Sequence, residues 1–363
     1  MNPFAGPLFD NQPFTLQFTA AVDSGRFSSQ DIHFRQAKTD LVAELDVLLA
    51  ERPVINSKLR STLLDLTPLQ QHLLATRAAQ PAAKAPAQKL LFTDQVINLV
   101  GDVPFDLTLD LAVDEFLFGP NQFRKVSFML ELLPQSLRLQ EFEFRGVRDG
   151  HYAGSFSAER QADGTALKLT GRAADLKLGL IGVSGQDPDS LPPSDILLDL
   201  TGKGSTWREL AQTLTGSTRW YTGSGRVSNA GLDLLFSDLM SQIFSTLNPL
   251  SKKSQFTQLN CAVYAADFLN GQAKLAPIVI QTDQITAFSE GKVDLSSEAV
   301  DMSFRTVPRK GLGISAGAVV NPFFRIGGTL MKPALQLDVT KGAISGGAMV
   351  ATAGLSVLFK SLS

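Results

Sequence analysis

Alternation of apolar and polar residues, returning again and again along the chain, limits what this protein can fold into more than any other feature. Leu107, Leu109, Leu111 and Val113 alternate with Thr108, Asp110 and Ala112, and the pattern recurs through Leu176, Leu178 and Leu180, through Ile196, Leu198 and Leu200, and through Leu335, Leu337 and Val339. Successive side chains of a strand point to opposite faces, so each run reads as a strand with one apolar and one wet face. Between the runs sit Asp149-Gly150, Asp163-Gly164, Asn270-Gly271 and Glu290-Gly291, dipeptides that suit hairpin turns rather than crossover helices. The expected fold class is mainly β (α+β), an elongated, curved, mostly antiparallel sheet forming a hydrophobic groove, with a few capping helices in the C-terminal half.

A sheet with one apolar face must bury that face against helices, a second sheet or something that is not protein. Two arrangements satisfy the pattern: a closed sandwich, and a long sheet folded over an apolar trough of the kind an acyl chain would occupy. With about eighteen strands at about 4.8 Å each, such a sheet would be roughly 85 Å long. Candidate lining positions are Leu107, Leu109, Leu111, Phe128, Leu130, Leu132, Phe142 and Phe144, and either parity could face inward.

Composition narrows the function. Hydrophobic residues make up 44% of the 363 and charged residues 19%, which excludes a disordered chain. Formal charge is −2 with no Lys/Arg run, so the electrostatic footprint of a nucleic-acid partner is missing. One cysteine (Cys261) and three histidines (His33, His72, His151) leave no disulfide within the chain and little for a metal site; no cofactor and no metal are expected. There are 24 Phe against 3 Tyr and 2 Trp, an excess of aromatic area without a polar tip.

An internal repeat organises the first half. Shifted by 91 residues, Pro13-Phe14-x-Leu16 with Ala21-Val22-Asp23 and Phe27 overlays Pro104-Phe105-x-Leu107 with Ala112-Val113-Asp114 and Phe118. Leu64-Asp65-Leu66 and Ala174-Asp175-Leu176 are candidates for the last strands of the two units. The resulting division is a first β unit over 1–74, an Ala/Pro-rich linker over 75–89, a second β unit over 90–194, a C-terminal domain over 195–340 and a small-residue apolar segment over 341–363. Thr206-Trp-Arg-Glu209 fits a capping box opening a helix that Gly216 ends. A second helix is expected over 232–247, with Leu235, Leu239 and Ile243 on an apolar stripe suited to capping a sheet face. The uncharged stretch 342–359 would span roughly 27 Å as a helix, close to the hydrocarbon core of a bilayer, but it is glycine-rich and thinly hydrophobic and reads as a helix packed on protein or on a membrane surface ahead of a transmembrane span. Met1–Pro7 has neither the basic nor the apolar region of a signal peptide.

Catalytic constellations are scarce. None of the histidines has a second ligand at metal spacing. Glu141 and Glu143 would share one strand face, the ordinary wet face of an alternating strand. Gly202-Lys203-Gly204-Ser205-Thr206 lacks the spacing of a phosphate loop, and Cys261, between Leu259 and Val263, reads as a buried free thiol. No catalytic residue is assigned, and the chain is read as a non-enzyme.

From Leu200 onward, an ordered set of elements carries a family resemblance. The set comprises Leu200-Thr-Gly202-Lys-Gly204, Leu214-Thr-Gly216-Ser, Gly223-Ser-Gly225-Arg-Val-Ser-Asn229-Ala-Gly231, the helix after it, Leu259-Asn-Cys261-Ala-Val263, Phe268-Leu-Asn270-Gly271, Gly291-Lys-Val-Asp294-Leu295 and Gly327-Gly328-Thr-Leu330-Met-Lys-Pro333. This succession resembles the C-terminal domain of the AsmA family over about residues 195 to 355, and the β repeats over 10 to 190 are similar to the groove that precedes it. The resemblance implies a periplasmic β-groove protein of a Gram-negative envelope, held to the inner membrane by an anchor not seen in this sequence. It also implies phospholipid or another acyl lipid as partner and a part in phospholipid transport and outer-membrane biogenesis. The alternative is an envelope scaffold or outer-membrane protein assembly factor, acting in protein targeting to the membrane through an envelope protein partner and without lipid transfer.

Overall fold

The structure is a computed structural model that describes residues 13–72, 90–119, 121–146, 150–177, 190–228, 256–283, 285–309 and 324–337. Four strands come first: β1 (Phe14–Asp23), β2 (Arg26–Gln36), β3 (Thr39–Leu48) and β4 (Val54–Asp65). A helix, α1, begins at Thr67 and is described to His72. Then follow β5 (Asp106–Phe118), β6 (Asn121–Leu133), β7 (Ser136–Arg145), β8 (His151–Gln161), β9 (Gly164–Leu176) and β10 (Ser194–Gly204). The short helix α2 (Trp207–Thr213) leads to β11 (Thr215–Thr222) and β12 (Gly225–Ser228). The chain continues through β13 (Phe256–Leu269), β14 (Gln272–Thr282), β15 (Ile285–Asp294), β16 (Ala299–Pro308), β17 (Phe324–Thr329) and β18 (Lys332–Leu337).

These strands form one sheet in which almost every strand pairs with its neighbour in sequence. All ladders are antiparallel except β4 with β5, which is parallel. The exception follows from the connection: β4 runs away from the end of the sheet where β5 begins, and residues 66–105 carry the chain back. Both β11 and β12 pair with β13, end to end, so seventeen strands lie abreast and a flat sheet of them would be roughly 77 Å across at about 4.8 Å per spacing. The ladder β9–β10 runs across the expected boundary at 194/195, from Ser194↔Leu176 to Gly204↔Thr165, with a register slip between Ser194 and Ile196. In the first half, β1–β4 and β5–β8 are successive four-stranded runs, although at the 91-residue shift Phe27 of β2 falls on Phe118 at the end of β5. The proposed matching ends do not correspond, since Leu64-Asp65 closes β4 whereas Asp175-Leu176 closes a fifth strand, β9.

Cross-strand partners share a face, and the registers join the apolar residues into one surface. Ala43 pairs with Leu59, Leu59 with Leu111 and Leu111 with Phe128. One row along, Leu109 pairs with Leu130, Leu130 with Leu139, Leu139 with Phe156, Phe156 with Leu169 and Leu169 with Leu200. The opposite face carries the ion pairs, including Arg60–Asp110 at 2.7 Å, Lys58–Glu44, Arg138–Glu159, Arg219–Asp267 and Arg325–Asp301. Such exposed pairs add little stability, about 0–1 kcal/mol each, but they keep that face wet.

Where the alternation changes phase, bulges keep the apolar face intact. On β7 the apolar residues switch from odd (Leu137, Leu139) to even (Phe142, Phe144), and there the register slips by one residue, with Glu141 at φ 51°. On β14 the switch from Leu275 to Ile278 coincides with a slip that contains Pro277, a residue with no N–H to give to a ladder. A coordinated break crosses β4, β5 and β6: the pairs Thr62–Asp114 and Asp114–Lys125 drop out of the ladders, and Leu64, Phe116 and Phe123 come to share the face of Leu111. An expectation is corrected here too: Glu290-Gly291 lies inside β15 rather than in a turn. A Cβ on Gly291 would come within 2.4 Å of the Asp301 carbonyl and 2.7 Å of Met302 Cγ, so the glycine makes room for cross-strand neighbours.

One end of the sheet is closed by an extended strap, residues 90–105, together with α2. Phe92 packs against the apolar cluster of β13–β17; the Thr93 and Gln95 carbonyls accept hydrogen bonds from the Arg208 and Trp207 amides of α2. Ile97 donates to the Ser205 carbonyl, Gly101 accepts from Gln135, and Asp106 donates to Pro53. Within the strap, Ile97 and Val100 are almost fully buried. Thr206 is the N-cap of α2, accepting from the Glu209 amide at 3.2 Å while Glu209 accepts from the Ser205 amide at 2.6 Å, a capping box displaced by one residue.

The strap also records the curvature. Leu91 and Phe92 are bound to Glu298 in the β15–β16 turn, and Thr93 is bound to α2 next to β10. Along a flat sheet those sites would be five spacings apart, about 24 Å, yet one residue of chain reaches about 3.5 Å. The C-terminal strands therefore curl round α2, and small residues line the contact: Ala266, Ala273 and Ala287 of the strands join Ala211 of the helix in a cluster with Val293, Phe304 and Ile326. The expected helix over 232–247, with Leu235, Leu239 and Ile243, lies outside the described residues, as do the linker 75–89 and the segment 342–359.

Candidate functional site

Leu107, Leu109, Leu111, Phe128, Leu130, Leu132, Phe142 and Phe144 all stand on the same face, where the registers pair Leu107 with Leu132, Leu109 with Leu130, and Leu111 with Phe128. Phe142 and Phe144 join them only through the β7 bulge. Leu111 is 9% exposed and the other seven are half-buried. Their burial comes from one another and from strand neighbours; among the described residues, no second sheet or helix packs across β4–β8 on this side.

Aromatic rings gather toward the end of these strands away from the strap. Phe116 lies 6.2 Å from Phe123, Phe123 lies 5.1 Å edge-on from Phe144, and Phe144 stacks 5.1 Å from Tyr152. Phe142 bridges the patch, 6.3 Å from Phe128 and 5.7 Å from Tyr152. The Tyr152 ring lies flat over two glycines: a Cβ on Gly154 or Gly171 would come 2.6 and 2.7 Å from its hydroxyl oxygen. Burial pushes the Tyr152 phenol above its ordinary value of 10.0, and that of Tyr264 on β13 likewise. Both hydroxyls thus stay neutral at any physiological pH, and this surface carries no charge.

Sequence reasoning missed Phe116, Phe123 and Tyr152. The first two stand out of phase with Leu111 and Phe128 in a strict alternation, and only the ladder break at Asp114 and Lys125 brings them round. Tyr152 precedes Gly154 in its own alternation; the signal that could have found it is the pair Gly154 and Gly171, a gap in the apolar row that only a large flat neighbour fills.

The remaining sequence candidates lie elsewhere. His33 sits 2.6 Å from Asp31 and His151 3.7 Å from Glu143, all exposed. Glu141 occupies the bulge rather than sharing a regular face with Glu143. Lys203 pairs with Asp163 at 2.5 Å, and Gly204 is where α2 meets the sheet, a Cβ there falling 2.4 Å from the Leu210 nitrogen. Cys261 is half-buried rather than buried, opposite Gln281 on the polar face. A shallow polar-face depression of about 390 Å³ is lined by Asp40, Arg60, Asp114 and Lys125, among others. Its cations are already paired, Arg60 with Asp110 and Lys125 with Asp114, so it offers little to a charged ligand. Among the described residues no group of three or more His, Cys, Asp or Glu side chains could hold a metal ion, and no helix is long and apolar enough to cross a membrane.

Fold and site together define an open, curved β-sheet protein with one apolar and one ion-paired face. No family model, no curated protein and no solved structure matches this chain.

Proposed function

We propose that this chain is a non-enzymatic, AsmA-like lipid-binding module that holds acyl chains along the apolar face of β4–β10 and supports phospholipid transport and outer-membrane biogenesis in a Gram-negative envelope. On this reading it works in the periplasm, beside the inner membrane. One observation carries the proposal: a Leu- and Phe-lined surface continuous from β3 to β10, over which no second sheet or helix packs across β4–β8 among the described residues. Soluble proteins rarely expose apolar patches above a few hundred Å² unless something binds there. Each half-buried Leu or Phe that an acyl chain finishes burying would contribute on the order of 1 kcal/mol at about 25 cal/mol per Å². The ring patch and the neutral tyrosines suit chains rather than headgroups.

Adjacent residues on β6 provide the test. A photoreactive p-benzoylphenylalanine at Leu130, on the apolar face, should crosslink to phospholipid in native membranes, and the same group at Met129, on the polar face, should not. Equal labelling at both positions, or at neither, would overturn the proposal.

A second reading, an envelope scaffold or outer-membrane protein assembly factor, draws on β1, every residue of which is exposed, including Leu16 at 49% and Phe18 at 57%. A protein partner covering that strand would crosslink to a photoreactive group at Phe18.

A further inference from the structure

Glu298 is the most deeply buried charged side chain among the described residues, with 0% exposure, and it belongs to no catalytic or metal-binding arrangement. Its two carboxylate oxygens accept hydrogen bonds from the backbone amides of Leu91 and Phe92, each at 2.6 Å, across 207 and 206 residues of sequence. Two residues further on, Asp94 pairs with Arg208 of α2 at 2.6 Å, and the Glu298 charge also acts on Arg208. Between these two attachments Phe92 is laid onto the cluster formed by Ala266, Ala273, Leu275, Val293 and Phe304.

The strap is attached to the sheet very differently from a strand. The ladders β11–β13, β13–β14, β14–β15 and β15–β16 are complete without it, and it makes one isolated bridge, Val96 to Thr206. Besides the two carboxylate clasps and the Phe92 ring, it is held by three backbone hydrogen bonds to residues 205–208 and by the buried Ile97 side chain; none of these attachments belongs to a ladder, so it can lift without breaking one. When it lifts, the Glu298 carboxylate exchanges two amide donors for water, which removes the cost of an unpaired buried charge.

We infer that residues 90–97 form a displaceable strap that occludes the C-terminal part of the apolar face, with Phe92 as the plug and Glu298 as the clasp. Acyl chains then occupy β13–β16 only when the strap is released, while β4–β8 remain accessible throughout. This rests on the lipid-binding reading of the same face and adds a control to it: the apolar surface is continuous, but one end is shut.

The experiment uses the full chain, a palmitic acid carrying a terminal diazirine, and peptide mapping of the labelled sites. In the wild type, labelling is expected on β5–β7 and not on β13–β16. In Glu298→Gln, which keeps the shape but loses the charge and half of the acceptor capacity, the Leu91 and Phe92 amides should exchange hydrogen at least tenfold faster and β13–β16 should label several-fold more. Phe92→Ala, which leaves the clasp intact and removes only the plug, should also admit label to β13–β16, and it serves if the Glu298 variant fails to fold. Wild-type labelling of β13–β16 equal to that of either variant, or faster exchange with β13–β16 still unlabelled, would overturn the strap while leaving the lipid reading in place. Labelling nowhere, in any of the three proteins, would overturn the lipid reading and the strap with it.

Discussion

Asp40 illustrates how single side chains hold this sheet where its alternation breaks. It stands at the start of β3, beside the point on β4 where the Thr62–Asp114 pair drops out of the ladder. Its carboxylate accepts from the Thr62 amide at 2.9 Å, the Leu63 amide at 3.0 Å, Thr62 Oγ1 at 2.5 Å and Ser61 Oγ at 3.1 Å. Partial burial pushes the Asp40 carboxyl up, but the hydrogen bonds from Thr62, Leu63 and Ser61 outweigh it and hold the group below its ordinary 3.8. A carboxyl whose folded value is depressed contributes stability that is complete above the unfolded value, about 4, and lost as pH falls through the folded one. Asp40→Ala should therefore cost about 1–2 kcal/mol at pH 7, the usual range for stranding backbone donors at a half-exposed site. Urea unfolding at pH 7 and at pH 3 checks this: the gap between wild type and variant should narrow at the lower pH, and a gap unchanged between the two would mean that the charge does not matter.

At the scale of the element, bulges are what allow an imperfect alternation to make a continuous face. Leu137 and Leu139 share a face with Phe142 and Phe144 because one extra residue at Gln140–Glu141 absorbs the change of parity. Deleting Glu141 makes the alternation from Leu139 to Phe144 strict, so both phenylalanines should keep the apolar face and their contacts with Phe123, Phe128 and Tyr152. Thermal unfolding of the deletion variant should show a change below about 1 kcal/mol. A loss of about 2–4 kcal/mol, that of two half-buried rings, would show instead that the bulge itself holds them in place. The length of β7 in the sequence therefore carries information that its hydrophobic count does not.

Across the whole molecule, the same apolar face is put to two uses. Over β13–β17 it is folded round α2 and covered by the strap, with Val293 5% exposed, whereas over β4–β8 it meets no further layer among the described residues. A carboxylate introduced in each region should separate the two. Val293→Asp buries an unpaired charge and should unfold the protein or cost more than about 4 kcal/mol, whereas Leu109→Asp keeps contact with water and should fold with a loss near 1 kcal/mol while abolishing acyl-chain labelling. Circular dichroism alongside the diazirine label reads both outcomes. If Leu109→Asp unfolds as readily as Val293→Asp, the β4–β8 face is protein-covered and the scaffold reading takes precedence.

The sequence by itself determined the strands, their mostly antiparallel pairing and the apolar character of one face, because all three follow from short-range periodicity and turn residues. It also located the α2 cap, since Thr206 and Glu209 act within one turn of chain. Leu107, Leu109, Leu111, Phe128, Leu130 and Leu132 could be grouped for the same reason: each lies on an unbroken alternation. Only the tertiary structure decided which parity carries the apolar face on each strand, because a register slip at Glu141 or Pro277 reverses parity without changing composition. Only it brought Phe116, Phe123 and Tyr152 beside Phe144, and only it set Glu298 against Leu91 and Phe92, a contact across more than two hundred residues that no local pattern encodes. The opening alternation thus specifies a sheet with a greasy side, and the curl round α2, fixed by long-range packing of small residues, specifies how much of that side is left for a ligand.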